Sequence, residues 1–228
     1  MARRRAILNR IAEACRRSGR SPDEVTLLGV TKTQPLETVR NGIAAGIEDI
    51  GENYVQEMVE KYRRLGESAR WHSIGHLQRN KVEAIAPFVH LIHGLDSERL
   101  AVEIDRQGRR AGRRIRALIQ INTSGEASKS GIPPREAVAL ARSITRLPSI
   151  ELQGLMTIPA PADNPEESRS SFRLLRALRE EVGHAIPLPP LSMGMTDDFE
   201  VAVEEGATMV RVGSAIFGER HYGEKALP

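Results

Sequence analysis

The sequence alternates eight times between a short apolar, β-prone run and a segment with helical periodicity. Alternation at this spacing predicts a parallel sheet whose strands are joined by right-handed crossovers. Eight such units in 228 residues match a closed (β/α)8 barrel near its lower size limit. We therefore predict an α/β protein in which residues 1–228 form a single TIM-type barrel domain, with one extra helix before the first strand. An open, doubly wound sheet is the structural alternative.

The predicted elements follow from the periodicity of apolar residues and from the turn residues between them. The predicted strands are Val25–Lys32, Ile47–Gly51, Trp71–Gly75, Val89–His93, Arg116–Asn122, Leu152–Ile158, Pro190–Met193 and Thr208–Val212. The predicted helices are Pro35–Ala45, Glu52–Leu65, Leu77–Ala86, one capped by Ser97, Pro134–Arg146, Glu166–Glu181, and one in which Asp197 and Glu200 resemble a capping box. The extra first helix is predicted by one apolar stripe, which consists of Ile7, Leu8, Ile11, Ala12 and Cys15.

Composition and charge argue against several classes of protein. The net charge is +3, aromatic residues make up 4%, and no basic block exists beyond Arg3–Arg5, so nucleic-acid binding is not indicated. No apolar run is long enough to cross a membrane. Cys15 is the only cysteine, which argues against a disulfide framework and a cysteine metal cluster. The Arg-rich start can mimic a transit peptide, but it leads into no signal-peptide core, and we predict a cytoplasmic protein.

Lys32 stands at the end of the first predicted strand, the nearly unbroken apolar run Val25–Lys32. A continuous apolar run indicates a strand buried on both faces, and Pro35 suits the first turn of the following helix. Lys32 is therefore expected at the carboxyl edge of the sheet, where α/β barrels place their chemistry. Taken alone, a lysine at this position is more often a solvated strand end, so the residues at the other strand ends decide its role.

Further residues suited to a binding site leave the other predicted strands at the same edge. They are Glu52, Asn53, His76, Asn122, Met156, Thr157, residues 192–196 and residues 211–214. Asn53 is equally compatible with a helix cap, and the pair Asp197-Asp198 suits a helix start, where carboxylates are favourable. His72 and His76 flank the third strand without the spacing of a metal site, so we predict His76 as a hydrogen-bonded pocket residue and no metal.

Two glycine-containing loops indicate a phosphate site. Ser192-Met193-Gly194-Met195-Thr196 follows the seventh predicted strand, and Val212-Gly213-Ser214-Ala215 follows the eighth. Barrels commonly bind phosphate at these two loops through backbone N–H groups, to which Ser192 and Ser214 add hydroxyl donors. Ordinary tight turns are the alternative. A phosphate site opposite a strand-end lysine is what pyridoxal phosphate requires, because its aldehyde forms an imine with an amine and its phosphate needs an anion site.

Arg211 is predicted to point into the mouth of the barrel, because side chains alternate between the two faces along the eighth strand. A guanidinium is always charged and only donates hydrogen bonds. Facing the ring nitrogen of the cofactor, it would keep that nitrogen unprotonated and weaken the ring as an electron sink. An ion pair with Glu200 or Glu204 is the competing assignment.

These motifs resemble those of the pyridoxal phosphate homeostasis proteins. The matching stretches are Leu27–Thr33, Gly51–Glu57, Ile74–Gln78, Gln120–Gly131, Gly154–Thr157, Leu191–Glu200 and Val210–Gly218, which span nearly the whole chain in order. The resemblance implies a barrel like the amino-terminal domain of alanine racemase, with an imine at Lys32 and a ring-nitrogen contact at Arg211. The cofactor-binding set predicted in this way is Lys32, Asn53, His76, Met156, Ser192, Gly194, Arg211, Gly213 and Ser214. Thr31 and Ser214 depart from the family's usual serine and threonine but keep a hydroxyl, whereas Ser73 replaces a larger residue.

The same fold family contains racemases, so an amino-acid racemase dependent on pyridoxal phosphate is the alternative function. Racemases of this kind use a further β domain with a tyrosine, and the chain ends at Pro228, soon after the eighth predicted strand. None of Tyr54, Tyr62 and Tyr222 has the required context. We therefore predict no catalytic residue, and a monomeric carrier or buffer whose partners are pyridoxal phosphate and apo-enzymes that need it.

Overall fold

A computed structural model describes residues 2–126, 129–183 and 190–218 of the chain. The strands are β1 (Thr26–Val30), β2 (Asp49–Glu52), β3 (Arg70–Ser73), β4 (Leu91–Leu95), β5 (Ile115–Ile121), β6 (Ile150–Thr157), β7 (Leu191–Ser192) and β8 (Met209–Val212). They form a closed parallel barrel in sequence order, in which β1 pairs with both β2 and β8. The predicted (β/α)8 barrel is therefore confirmed, and the open sheet is wrong.

Helices surround this barrel, and one precedes it. They are α1 (Ala2–Arg17), α2 (Leu36–Ala44), α3 (Val55–Leu65), α4 (Val82–Ile85), α5 (Glu98–Arg110), α6 (Ala137–Ile144), α7 (Arg169–Gly183), α8 (Phe199–Glu204) and α9 (Ser214–Phe217). Short 3₁₀ turns occupy Pro22–Glu24, Gly66–Ser68, Arg79–Lys81, Pro134–Glu136 and Pro165–Ser168. In the described part of the chain, no helix combines the length and the apolar character that crossing a membrane requires.

Alternation along the strands separates a barrel interior from a core beneath the helices. Along β2, Asp49 contacts His72 inside the barrel, whereas Ile50 belongs to the large apolar core under the helices. Glu52, on the same face as Ile50, reaches Lys61 of α3. The interior of the barrel also contains a small separate apolar cluster, formed by Leu91, Leu118 and Met156.

The extra helix α1 has the predicted apolar stripe. Ile7, Ile11 and Cys15 are buried, and the helix packs against α8. Burying an aliphatic side chain of this size stabilises a fold by about 1.5–3 kcal/mol, so the stripe holds α1 on the barrel. At the edge of the same contact, the Arg10 guanidinium donates to both carboxylate oxygens of Glu200, at 3.0 and 2.9 Å.

Two predicted boundaries at the carboxyl edge are shifted. β1 ends at Val30, so Lys32 lies in the turn after the strand rather than within it. Glu52 is the last residue of β2 and does not open the next helix, which begins at Val55. The reason is a buried contact: the Glu52 carboxylate accepts a hydrogen bond from the Lys61 amine at 2.7 Å, and this contact holds Glu52 against the barrel.

Two predicted helix features are wrong in detail. The segment 77–86 contains a 3₁₀ turn and the four-residue helix α4, because Leu77 enters the apolar core from an extended stretch before the turn. Asp197 and Glu200 do not form a capping box. The residue preceding α8 is Asp198, whose carboxylate accepts from the Met195 N–H at 2.7 Å, and Glu200 is held by Arg10. Residues 127 and 128, which belong to the matching stretch Gln120–Gly131, and Tyr222 lie outside the described residues.

Candidate functional site

A cavity of about 330 Å³ opens at the carboxyl ends of the strands, within the size range of small-molecule sites, roughly 300–1,000 Å³. Six of the nine predicted site residues line it: Lys32, Asn53, His76, Arg211, Gly213 and Ser214. Val30, Ile74 and Ile158 form its apolar part, and Gln120, Lys129, Met195 and Thr196 add polar and mixed contacts. The side chains predicted from strand ends are therefore brought together in one place.

The other three predicted residues lie behind or below the cavity lining. Met156 is fully buried in the apolar cluster of the barrel interior, and Ser192 is also fully buried. Gly194 has φ +88°, and its carbonyl accepts from the Arg211 N–H at 3.0 Å. A Cβ at Gly194 would lie 2.6 Å from that of Ala202, so glycine is required here by backbone shape and close packing. The loop after β7 reaches the cavity through Met195 and Thr196 instead.

The charge of the cavity lining suits an anion. Lys32, Lys129 and Arg211 contribute cationic groups, and the described lining includes no aspartate or glutamate. Gly213 precedes the short helix α9 and Ser214 opens it, so backbone N–H groups and a hydroxyl lie beside these cations. Cationic side chains together with N–H and hydroxyl donors are the usual partners of phosphate and carboxylate groups.

Two side chains of α3 hydrogen-bond to the backbone before and after Lys32 and hold its turn in place. The Lys61 amine donates to the Thr31 carbonyl at 2.7 Å, and the Glu57 carboxylate accepts from the Thr33 N–H at 2.7 Å. Thr33 has φ +62°, an uncommon conformation for a β-branched residue, which such contacts help to maintain. Neither Glu57 nor Lys61 was predicted as a site residue, although their spacing of four residues on a helix is the pattern of a facing pair.

Glu52 completes this support behind the cavity. Its side chain is fully buried, and Oε1 accepts from the Thr31 hydroxyl at 2.5 Å and from the Lys61 amine at 2.7 Å. Burial raises the pKa of Glu52 to about 7, against the opposing effect of the Lys61 charge. We name Glu52, Glu57, Lys61 and Thr31 the lysine-turn network.

Arg211 is buried, with 4% of its surface exposed, and two of its guanidinium nitrogens donate to groups of the barrel strands. Nη1 donates to the Ser192 hydroxyl oxygen at 2.7 Å, and Nη2 donates to the Thr157 carbonyl at 2.8 Å. Burial lowers the pKa of Arg211 to about 10, so the guanidinium stays charged at neutral pH. The competing ion-pair assignment is wrong, because Glu200 is held by Arg10 and Glu204 by Arg17 and Arg169.

Asn53 and His76 line the cavity from neighbouring loops. The helix-cap alternative for Asn53 is wrong, since Tyr54 is the residue that precedes α3. His76 lies at the outer edge, where its side chain is 58% exposed and Nδ1 contacts Asp96 Oδ2 at 3.1 Å. Gly75, which precedes His76, packs closely against the backbone of Asn53, because a Cβ on Gly75 would lie 2.4 Å from the Asn53 carbonyl oxygen.

A chain of buried polar side chains crosses the barrel interior below Arg211. His72 Nε2 lies 2.9 Å from Asp49 Oδ1, His72 Nδ1 lies 3.0 Å from His93 Nε2, and His93 Nδ1 lies 3.0 Å from Ser192 Oγ. We name Asp49, His72, His93 and Ser192 the interior chain. His72 was predicted only to flank the third strand, and neither Asp49 nor His93 was predicted as a site residue.

One end of the interior chain brings three groups together that can in principle bind a metal. Asp49, His72 and His90 place one ligand atom each within 4.8 Å of one another. Arg70 donates to both carboxylate oxygens of Asp49, each at 2.7 Å. The oxygens that would bind a metal are therefore already hydrogen-bonded, and the guanidinium adds positive charge beside them. This arrangement disfavours a cation, and the hydrogen-bonded chain is its simpler interpretation.

The chain is similar to known proteins over most of its length. Residues 4–221 match the model of the alanine racemase N-terminal domain family. The chain is 45% identical over 219 residues to a pyridoxal phosphate homeostasis protein of Aquifex aeolicus, which covers 95% of this chain and 96% of the relative. It is 41% identical over 227 residues to the protein of that name in Escherichia coli K12, which covers 96% of both chains.

Solved structures show the same relationship. A protein of unknown function from Bifidobacterium adolescentis is 39% identical, with a TM-score of 0.86 over 93% of this chain and 92% of its own. PipY of Synechococcus elongatus, solved with pyridoxal phosphate bound, is 32% identical, with a TM-score of 0.78 over 91% of this chain and all of its own. Alanine racemase of Clostridium difficile, at 16% identity and a TM-score of 0.75, shares the fold, and the match covers 95% of this chain and 59% of the racemase. The chain therefore belongs to the alanine racemase N-terminal domain family and, within it, to the pyridoxal phosphate homeostasis proteins.

Proposed function

We propose that this protein binds pyridoxal 5′-phosphate in the cavity and acts in its homeostasis, as a carrier or buffer of the cofactor. One observation carries the proposal: Lys32 and Arg211 line the same cavity, whose described lining contains no carboxylate. The names of the homologues and the ligand of PipY support the same cofactor. The donor set fits it, because an amine, a buried guanidinium and phosphate-binding donors are present together.

Each lining residue has a separate role in this proposal. Bound pyridoxal phosphate supplies an aldehyde and an electron-accepting ring. Lys32 would hold the aldehyde carbon through an imine, and Arg211, charged at neutral pH, would contact the ring nitrogen and keep it unprotonated. Gly213 and Ser214 would donate to the phosphate, together with the adjoining loop residues that line the cavity. Asn53 and His76 would form the remaining wall beside the ring substituents.

The arrangement of acid–base groups favours a carrier over an amino-acid racemase. Racemisation requires two proton-transfer groups, one on each face of the substrate, and each contributes about 10²–10⁴-fold. Among the described tyrosines, Tyr54 is 57% exposed and Tyr62 stacks on Phe88 with ring centroids 3.8 Å apart; neither lines the cavity. With Lys32 as one group, His76 is the imidazole on the described lining, and its side chain is 58% exposed and already bonded to Asp96.

We extend the proposal to delivery of the cofactor by a cytoplasmic monomer to apo-enzymes that depend on it. Ile158 and Met195 line the cavity and yet are 38% and 37% exposed, so one wall of the site is open to solvent. An open wall lets a bound molecule leave without a large rearrangement of the barrel.

The test is a titration of the purified protein with pyridoxal phosphate, followed by absorption and then by borohydride reduction and peptide mapping. We expect one labelled peptide, which contains Lys32. The Lys32→Ala variant should lose the imine absorption, and Lys129→Ala, which removes another lysine from the same lining, should keep it. An unchanged imine spectrum in Lys32→Ala, or turnover of L-alanine in deuterated water at about 1 per second or faster, would overturn the proposal.

A further inference from the structure

The interior chain is a set of buried polar side chains from separate strands, and the proposed binding of the cofactor does not use most of them. Asp49, His72, His93 and Ser192 come from β2, β3, β4 and β7, and none of them is more than 4% exposed. Consecutive members are 2.9–3.0 Å apart, and Ser192 Oγ then accepts from Arg211 Nη1 at 2.7 Å. The chain therefore leads from the amino-terminal ends of the strands to the guanidinium at the cavity.

The direction of every hydrogen bond in this chain follows from the carboxylate at its far end. Burial alone would raise the pKa of Asp49, but hydrogen bonds from Arg70 and His72 outweigh it and hold the pKa below the usual range. Asp49 is therefore ionised and only accepts, so His72 must donate from Nε2. Burial lowers the pKa of both His72 and His93, which makes the two rings neutral, with one N–H each.

A neutral His72 that donates from Nε2 carries no proton on Nδ1. His93 must therefore donate from Nε2 to His72, which leaves His93 Nδ1 without a proton. The Ser192 hydroxyl can then donate only to His93, and the lone pairs of its oxygen face Arg211. Ser192 is consequently an acceptor for the guanidinium, and its proton is not directed to a phosphate in the cavity.

We propose that His93 is a positioning residue for Arg211: it orients the Ser192 hydroxyl so that this oxygen accepts from the guanidinium, while Asp49 and His72 fix the tautomer of His93. The inference rests on the proposed function, because the benefit of holding Arg211 is a defined contact with the ring of pyridoxal phosphate. His93 touches no cavity-lining group other than through Ser192 in the described contacts.

The first test needs no ligand and no substitution. Nitrogen-15 NMR of the imidazole rings at pH 7 should show both His72 and His93 as neutral rings protonated on Nε2. A ring of His93 protonated on Nδ1, or a charged imidazolium, would refute the predicted direction of the chain. This readout is independent of cofactor binding, so it tests the inference even if the proposed function fails.

The second test compares two substitutions of similar size in the loaded protein. In His93→Asn, the amide oxygen can replace Nδ1 as the acceptor for Ser192; in His93→Leu, no acceptor remains. We expect the Kd for pyridoxal phosphate to rise by about fivefold or more in His93→Leu and to stay within about twofold in His93→Asn. Leucine fills the space of the ring better than asparagine, so a role in packing alone predicts the opposite order.

Thermal melting of both variants without ligand shows whether they fold. If His93→Leu does not fold, Ser192→Ala removes the same acceptor from Arg211 and should weaken binding by a similar factor. Wild-type protein that forms no imine with pyridoxal phosphate would refute the proposed function. Wild-type imine formation with unchanged affinity in His93→Leu and Ser192→Ala would refute the role of His93.

Discussion

Lys61→Met should be among the most destabilising single substitutions outside the apolar core. The Lys61 amine makes three hydrogen bonds of 2.7 Å, to the Thr31 carbonyl, Glu52 Oε1 and Glu57 Oε1. The lysine side chain is 6% exposed and that of Glu52 is fully buried, so methionine keeps the packing but leaves a carboxyl group buried without its cation. Removing one partner of a buried pair costs about 3–5 kcal/mol.

The loss should depend on pH, because Glu52 can take up a proton. Its pKa is already raised to about 7 by burial, and it rises further when the Lys61 charge is removed. A carboxyl group whose folded pKa exceeds its unfolded value contributes stability at low pH and loses it as pH rises through the folded pKa. We therefore expect Lys61→Met to lose about 3 kcal/mol or less near pH 5 and about 3–5 kcal/mol at pH 8.

Urea unfolding followed by circular dichroism, with no pyridoxal phosphate added, measures this difference. The double variant Glu52→Gln/Lys61→Met removes both charges and should recover most of the stability at pH 8. Arg106→Met breaks an exposed ion pair with Glu103 and should change the free energy of unfolding by about 0.5 kcal/mol or less. A loss below about 1 kcal/mol at pH 8, or a double variant as unstable as Lys61→Met, would refute the assigned role of the lysine-turn network.

Three further outcomes are expected. Gly194→Ala should lower the free energy of unfolding in urea by about 1–3 kcal/mol, because φ is +88° and the new Cβ would lie 2.6 Å from that of Ala202. The control is Gly19→Ala, where φ is +68° and nothing lies within 4 Å of the new Cβ, so this variant measures the backbone part of the loss alone. The Tm of the apoprotein should fall as pH drops from about 7 to about 5, since burial lowers the folded pKa of three histidines, His72, His93 and His90, below that of the unfolded chain, and among the described residues only the raised pKa of Glu52 acts in the opposite direction. In Glu52→Gln, which removes that opposing titration, a Tm that stays constant or rises over the same pH range would contradict the neutral rings. Pyridoxal phosphate at a hundred times its Kd should stabilise by about 2.7 kcal/mol and pyridoxal at the same concentration by far less; equal stabilisation would argue against a phosphate site at Gly213 and Ser214.

The barrel and the two main site residues were predictable because they depend on local patterns. Eight apolar runs at regular spacing indicate eight strands, and eight parallel strands joined by helices allow few topologies besides a closed barrel. The position of Lys32 was predictable from the end of a strand. That of Arg211 was predictable because side chains alternate between the two faces of a strand. Glu52 was misplaced because an acidic residue before a helix suits a helix start, and only the contact with Lys61 shows that it is held in the strand.

The depth of a residue within the barrel was not predictable in the same way. Alternation puts Ser192 and Arg211 on the inner face, but the stagger between neighbouring strands decides which layer each side chain enters. Ser192 was therefore predicted at the phosphate and is found below the cavity, bonded to Arg211. His72 and His93 are 21 residues apart in the chain, and no local pattern relates two side chains that meet across the interior of a closed barrel.

The interior chain makes the inside of this barrel polar, and the lysine-turn network places polar groups on the other face of the sheet. Barrel interiors are ordinarily filled by branched aliphatic side chains, and replacing buried charged groups by such residues is often neutral or stabilising. Stability alone therefore does not account for Asp49, His72 and His93 inside the barrel. The lysine-turn network holds the turn of Lys32 from outside the sheet, and the interior chain holds Arg211 from below. Because the lysine-turn network ends on the backbone on either side of Lys32 and the interior chain ends on Arg211, positioning the two groups that define the cavity is the function that accounts for both.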